Sequence, residues 1–339
     1  MSRNKDIAAD TSEQSENNGN VGLSMEDGNV QAHVEILPPP RTSIERKMVD
    51  VSLQGEWEIE MQELHMLTSI GQGSYGTVRY SMWRGTEVAI KLLHDKTIDL
   101  NEFFQEISIL TRLHHPHVLQ VLGCCTLTKP YGIVLEYMPN GSLHSFVSRN
   151  NSLSYNQKIV IVKDVARGLA YLHNRKPTAV IHRDLKPSNI LLTASWRAKI
   201  ADFGISSVKP RAEDIYEMTG ETGTYRYMAP EVLRYKPYNC KVDMWSMGML
   251  TYAIFVEEPF KQCRSNLHLF QVFETGNSAR TLSYRKLSPD VLKIFMNTTS
   301  DNPEHRWDSL FLAQYCNMEL NKNDVVKKFG GGCLPMCVR

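Results

Sequence analysis

From Trp57 onward the chain alternates short β-branched and aromatic runs with glycine-rich turns. The segment ELHMLTSIGQGSYGTVRYSMWRGTEVAIKLL reads as three antiparallel strands, because apolar residues recur at a period of two between turn signals. HVLQVLGCCTL and YGIVLEYM read as two more strands. Between the two groups, LNEFFQEISILTRL carries Phe103, Phe104, Ile107, Leu110 and Leu113 at helical spacing. The first half is therefore a small sheet with one inserted helix. The second half is mostly helical. SYNQKIVIVKDVARGLAYLHN carries Ile159, Val162, Val165, Ala166, Leu169 and Leu172, one apolar face of a long helix. KVDMWSMGMLTYAIF is apolar nearly all round, as a central buried helix would be.

Residues 1 to about 50 break this texture. They are rich in Ser, Asn, Glu, Asp and Gly and carry Pro38-Pro39-Pro40, a composition that predicts a solvated, disordered tail with a regulatory or docking role as the alternative. The expected organisation is a polar N-terminal tail over residues 1–56, a folded domain over 57–320 and a C-terminal tail over 321–339. No internal repeat is visible.

Composition narrows the class. The chain has 339 residues, 42% hydrophobic and 22% charged, as in soluble globular proteins. A net charge of +1 supplies no basic footprint, so nucleic acid is not an expected partner. The longest apolar run, near Met247–Val256, is far short of the roughly 18 residues of a membrane span, so no transmembrane segment is expected. The first thirty residues hold no continuous apolar core, and Ser2 stands where N-myristoylation needs glycine. Seven cysteines without paired metal spacing or a secretory signal predict a reducing, cytoplasmic setting, with Cys124 and Cys125 as buried thiols.

The candidate chemistry lies in a series of short motifs. GQGSYGTV brings Gly71, Gly73 and Gly76 together, and glycines let backbone N–H groups approach phosphates. A dinucleotide-binding turn would need a helix directly after the glycines; here more strand follows. VAIK puts Lys91 at the end of an alternating strand, sharing a face with Ala89 while Val88 and Ile90 take the other. Its acidic partner would be Glu106 in the next helix, with Glu102 one turn earlier as the alternative. VIHRDLKPSNILL sets His182, Arg183, Asp184, Lys186 and Asn189 between apolar ends, a cluster that burial would not tolerate unpaired. Asp184 suits acceptance of a hydroxyl proton, Lys186 a transferring phosphate and Asn189 a Mg2+ ion. Asp202-Phe203-Gly204 follows behind a short strand and supplies a second carboxylate for Mg2+. Each motif alone is weak evidence; six in this order, ending in Ala229-Pro230-Glu231, are not a chance pattern.

In that order the motifs resemble the eukaryotic protein kinases over about residues 60–318. WEIEMQELHMLTSIGQGSYGTVRYSMWRGTEVAIK and GTYRYMAPEVL are most similar to the tyrosine-kinase-like group, the Raf-type and mixed-lineage kinases. The resemblance implies an α+β, bilobal fold: a small antiparallel-sheet N-lobe with one main helix (about 60–137) and a larger, mostly helical C-lobe (about 138–320), with ATP between them. It implies that Ile70, Gly71, Gln72, Gly73, Ser74, Tyr75, Gly76, Thr77 and Val78 cover the nucleotide. Val78 and Ala89 would lie above the adenine and Leu191 below it, Leu135 would be the gatekeeper, and Glu136 and Met138 would bond the adenine through their backbone. It implies catalytic roles for Lys91, Glu106, Asp184 as proton acceptor and Lys186, and Mg2+ binding by Asn189 and Asp202. DLKPSN with Lys186, and Thr224 in GTYRYMAPE, resemble Ser/Thr kinases, and dual specificity towards Tyr stays open.

The same resemblance implies a signalling enzyme that phosphorylates proteins and is switched on by phosphorylation of its activation segment, by an upstream kinase or in trans by its own kind. Thr219 and Thr222 are the candidate phosphosites, ahead of Tyr216, with Arg183 to receive the phosphate. Glu231 and Arg306 would form a buried ion pair, and Asp243 would anchor the catalytic-loop backbone. Two positions depart from the family: Trp307 stands in place of Pro, and Asn302 in place of Asp. In the C-terminal segment, a flexible tail is expected, with S-acylation of Cys333 and Cys337 beside Lys327 and Lys328 as the alternative. A pseudokinase, or a small-molecule kinase of the same fold, are the rival functions; neither Lys91, Asp184 nor Asp202 is missing, which is the usual mark of the first.

Overall fold

The structure is a computed structural model and describes residues 21–26, 29–34, 57–73, 76–93, 107, 110–149, 152–177, 179–202, 225–274 and 278–318. The chain divides into two compact units, Met1–Lys47 and Met48–Arg339.

In the first unit, strands β1 (Val21–Glu26) and β2 (Asn29–Val34) pair antiparallel, from Val21↔Val34 to Glu26↔Asn29. Composition alone predicts only a polar tail here. The local order does explain the pairing: Val21, Leu23 and Met25 alternate on one side of Asp27-Gly28, and Val30, Ala32 and Val34 on the other, a strong hairpin signal.

In the second unit, β3 (Leu64–Gly73), β4 (Gly76–Trp83), β5 (Thr86–Leu93), β6 (Val121–Cys125) and β7 (Gly132–Glu136) form a sheet ordered β3-β4-β5-β7-β6. All pairs are antiparallel. The five strands expected from periodicity are these five. Alternation on β5 works as anticipated: Val88 and Ile90 are fully buried in a small core with Ile59, Leu64, Cys125 and Val134, while Lys91 turns to the other face. Gly76 is required by close packing, since a Cβ there would lie 1.9 Å from the Leu92 carbonyl oxygen. The inserted helix falls mainly outside the described residues; Ile107 and Leu110 are helical and buried.

The rest is built from helices around a second, larger core. They are α1 (Leu143–Ser148), α2 (Tyr155–His173), α3 (Pro230–Leu233), α4 (Lys241–Phe255), α5 (Asn266–Glu274), α6 (Pro289–Thr298) and α7 (309–318). Helix α2 starts at a capping box in which Ser154 accepts from the Gln157 N–H and Gln157 accepts from the Ser154 N–H, satisfying two otherwise orphaned donors. Helix α4 is buried along almost its whole length, from Val242 to Tyr252 and at Ile254, which is why its sequence lacks an amphipathic stripe. It packs on α6 so closely that a Cβ on Gly248 would meet Thr299 at 2.3 Å. Two short strands, β8 (Ile190–Leu192) and β9 (Ala198–Ile200), pair antiparallel and carry the site residues on either side of them.

Candidate active site

The stretch Val180–Leu192 is a loop tied down at both ends. Val180, Ile181, Leu185, Ile190 and Leu192 are buried in the larger core. Between them the chain takes a left-handed conformation at Arg183, with φ 70°. For a residue with a Cβ this costs on the order of 1–2 kcal/mol, so something must hold it. Asp243, fully buried on α4, does so: its carboxylate accepts the N–H of His182 and the N–H of Arg183, both at 2.8 Å. His173, at the end of α2, bonds the same carboxylate at 2.8 Å. Burial alone would raise the Asp243 carboxyl, but the His173 hydrogen bond and the nearby His173 and His182 rings hold it below the usual carboxylate range.

His182 itself is completely buried. The Asp184 N–H donates to Nδ1 at 3.3 Å, so Nε2 is the nitrogen that donates to the Ala201 carbonyl at 3.0 Å. This ring links the loop to the segment leading into Asp202 and plays no part as a base.

Asp184 lies at the loop's centre and is 9% exposed. Its Oδ2 accepts from Asn189 Nδ2 at 2.9 Å and from Lys186 Nζ at 2.9 Å. Burial pushes its carboxyl up against the opposing pull of Lys186, and the charge on Asp202 adds to the rise. Asn189 also donates to the Asp184 carbonyl at 2.8 Å. Both amide hydrogens are thereby engaged, which leaves its oxygen, touched by the Ser188 hydroxyl at 3.4 Å, as the atom able to accept from a donor or a cation. Across the site Asp202, half-exposed and left-handed at φ 63°, lies 3.4 Å from Lys91 Nζ. An amide oxygen and an exposed carboxylate are hard donors that fit Mg2+.

Ala89 pairs with Leu135 across β5 and β7, and Val78 pairs with Lys91. Leu135 and Leu191 pack against a cluster of Leu119, Met138 and Ala201. Structure thus brings together Val78, Ala89, Lys91, Leu135, Met138, Asp184, Lys186, Asn189, Leu191 and Asp202. Glu106 and Glu102, Ser74 and Tyr75, Phe203 and Gly204, and Tyr216, Thr219, Thr222 and Thr224 lie outside the described residues, as do Cys333 and Cys337.

The ion pair read from the sequence is present and well satisfied. Arg306 forks onto Glu231 at 2.6 and 2.8 Å and also donates to the Ser300 and Lys241 carbonyls, with its guanidinium 5.2 Å over the Trp245 ring. The two departures have local explanations. Trp307 donates its N–H to the Asn297 carbonyl at 2.8 Å and packs on Phe311 and Tyr315, a bond that proline could not make. Asn302 accepts from the Glu304 N–H at 3.1 Å, the capping service an Asp would give.

Sequence reading passed over several residues that brace the site. Asp164 on α2 is 1% exposed and is gripped by Arg197 at 2.8 and 2.6 Å and by the Ala198 N–H at 3.1 Å. His117 bonds the Ala198 carbonyl at 3.1 Å and lies 3.5 Å from Asp164. Glu136 holds Lys199 at 2.5 Å. At the helical period Asp164 falls on the side of α2 opposite the apolar face read from the sequence, so neither Asp164, Lys199 nor His117 was marked by that pattern.

Comparison with known proteins agrees with this geometry. The family profile described as protein kinase domain matches residues 64–319. The serine/threonine-protein kinase VIK of Arabidopsis thaliana is 39% identical over 248 residues, 70% of this chain and 54% of that protein. In Dictyostelium discoideum, the dual specificity protein kinase shkB is 35% identical over 221 residues, 62% of this chain and 33% of that protein. The seven transmembrane domain-containing tyrosine-protein kinase 1 of the same organism is 40% identical over 280 residues, 76% of this chain and 38% of that protein. The chain therefore spans about a third to a half of the length of these relatives. A loop fixed by Asp243 around Asp184, Lys186 and Asn189, with Lys91 and Asp202 opposite and the domain profile over three quarters of the chain, makes this a member of the protein kinase family, of its tyrosine-kinase-like, Raf-type branch.

Proposed function

We propose that residues 57–320 form an ATP- and Mg2+-dependent protein kinase that transfers the γ-phosphoryl group to Ser and Thr hydroxyls of protein substrates. The observation that carries this reading is the environment of Asp184: one carboxylate oxygen is engaged by Asn189 and Lys186, and burial raises its affinity for a proton. Its other oxygen then serves a substrate hydroxyl, accepting the proton as the oxygen attacks phosphorus. Lys186 keeps Asp184 in place and offers its charge to the transferring phosphoryl group. Lys91 neutralises phosphate oxygens from the opposite side of the cleft, paired in use with Glu106. Asn189 and Asp202 would hold Mg2+, which when bound would supply charge neutralisation for the phosphates. The remaining work is alignment, since phosphoryl transfer asks little covalent chemistry of the protein.

Ser/Thr selectivity is supported by Lys186 in DLKPSN and by the serine/threonine designation of one relative. Some activity on Tyr is the second reading, favoured by the dual-specificity and tyrosine designations of the two others. The test is incubation of the purified chain with Mg2+, labelled ATP and peptide libraries carrying Ser, Thr or Tyr. Label in Ser/Thr peptides supports the first reading, and label in Tyr peptides as well supports the second. ATP binding without any label favours a pseudokinase.

Activation by phosphate on Thr219 or Thr222, placed by an upstream kinase or in trans, belongs to the same reading, with Arg183 as receiver in a cytoplasmic signalling enzyme. A Thr219→Ala/Thr222→Ala chain as active as wild type after preincubation with ATP would refute it.

A further inference from the structure

Glu136 and Tyr137 are adjacent residues at the end of β7, and each is fastened in a different direction. Glu136 faces the helical lobe: its Oε1 accepts from Lys199 Nζ on β9 at 2.5 Å and from the Gln120 N–H at 2.8 Å. Its own N–H donates to the Gln120 carbonyl at 3.1 Å, so Gln120 is held by two reciprocal bonds. The segment carrying Gln120 is itself laced to β9, through Leu119 N–H to the Ile200 carbonyl at 2.9 Å and Ile200 N–H to the His117 carbonyl at 3.0 Å. Tyr137 faces the sheet lobe: its ring packs 4.5 Å from that of Tyr80 on β4. The Tyr80 hydroxyl is fixed in turn by Glu87 on β5 at 2.6 Å.

We propose that Lys199 and Tyr80 are positioning residues that tether Glu136 and Tyr137, the successive residues where the chain leaves β7, to opposite lobes, and so hold this connecting backbone in the register that grips the adenine of ATP or ADP. The Lys199–Glu136 pair is sheltered, with the two side chains 15% and 26% exposed, so solvent screens it less than an exposed pair. Lys199 also lies on β9, the strand that runs directly into Asp202. Opening the cleft must therefore either break the Lys199 contact or slide Tyr137 off Tyr80. The inference rests on the nucleotide reading of the cleft given above.

The test is ADP titration and steady-state kinetics on the full chain. Lys199→Met is expected to weaken ADP binding and raise the ATP KM about three- to tenfold, in line with loss of one charge-assisted hydrogen bond, while kcat at saturating ATP changes less than about twofold. Lys199→Arg, which keeps the charge and the donors, should restore affinity to within about twofold of wild type. Tyr80→Leu, acting from the other lobe, should weaken ADP binding in the same way and carries the test if Lys199→Met fails to fold. Unchanged ADP affinity in both Lys199→Met and Tyr80→Leu overturns the tether, as does a fall in kcat at unchanged KM. A wild-type chain that binds no ADP overturns the nucleotide reading along with it; a wild-type chain that binds, beside variants that bind equally well, overturns the tether alone.

Discussion

The Asp243 carboxylate accepts the backbone N–H of Arg183 at 2.8 Å across sixty residues of chain. That bond and its twin to His182 hold a left-handed residue directly before the proposed base. Replacing Asp243 by Asn keeps the size but points an N–H2 group at backbone donors. The expected cost is about 1–3 kcal/mol of stability for the buried groups left unsatisfied, seen in urea unfolding, with kcat reduced more than nucleotide affinity because the loop and not the adenine shelf is released.

Asp184→Asn removes the proposed proton acceptor while retaining a neighbour for Asn189 and Lys186. Turnover should fall by about 10²–10⁴-fold, whereas nucleotide titration should give a dissociation constant close to wild type. Turnover that persists within tenfold of wild type would reassign the base.

Arg306 is a fully buried cation whose donors are spread over Glu231 and two carbonyls. Arg306→Ala strands the Glu231 carboxylate inside the lower lobe and should destabilise the chain by about 3–5 kcal/mol. Chemical denaturation measures this directly. The double variant Arg306→Met/Glu231→Leu should recover much of the loss, because the uncompensated charge is then gone.

His115 stacks on Tyr171 at 4.9 Å and meets His117 edge-on at 5.4 Å. Burial, helped by the charges of His117, Arg167 and Lys199, lowers its pKa to about 4 from the model-peptide value of 6.5. The unfolded chain therefore binds a proton between those values that the folded chain does not. Stability is full above pH 6.5 and is lost as pH falls towards about 4. Thermal melts over that range should show a falling midpoint, and His115→Phe, which keeps the stacked ring, should flatten the slope.

How much of this could be read in advance varies with the range of the interaction. Strand alternation at Val88–Lys91 and the apolar face of α2 are local, and their periods appear in any short window. The hairpin at Val21–Val34 was equally local, yet the polar composition around it masked the alternation flanking Asp27-Gly28. Asp184, Lys186 and Asn189 were legible because a single loop holds all three within six residues.

By itself, then, the sequence determined the order of motifs, the strand and helix periods, and the types of side chain available for phosphoryl transfer. Tertiary structure alone decided who meets whom: Lys91 with Asp202 across 111 residues, Arg197 with Asp164, and Lys199 with Glu136. The physical reason is that periodicity records which face of an element is buried, while a charge pair between distant elements is set by how those buried faces pack. Partners that packing selects from far along the chain, such as Lys199 for Glu136, leave no mark on their neighbours in sequence.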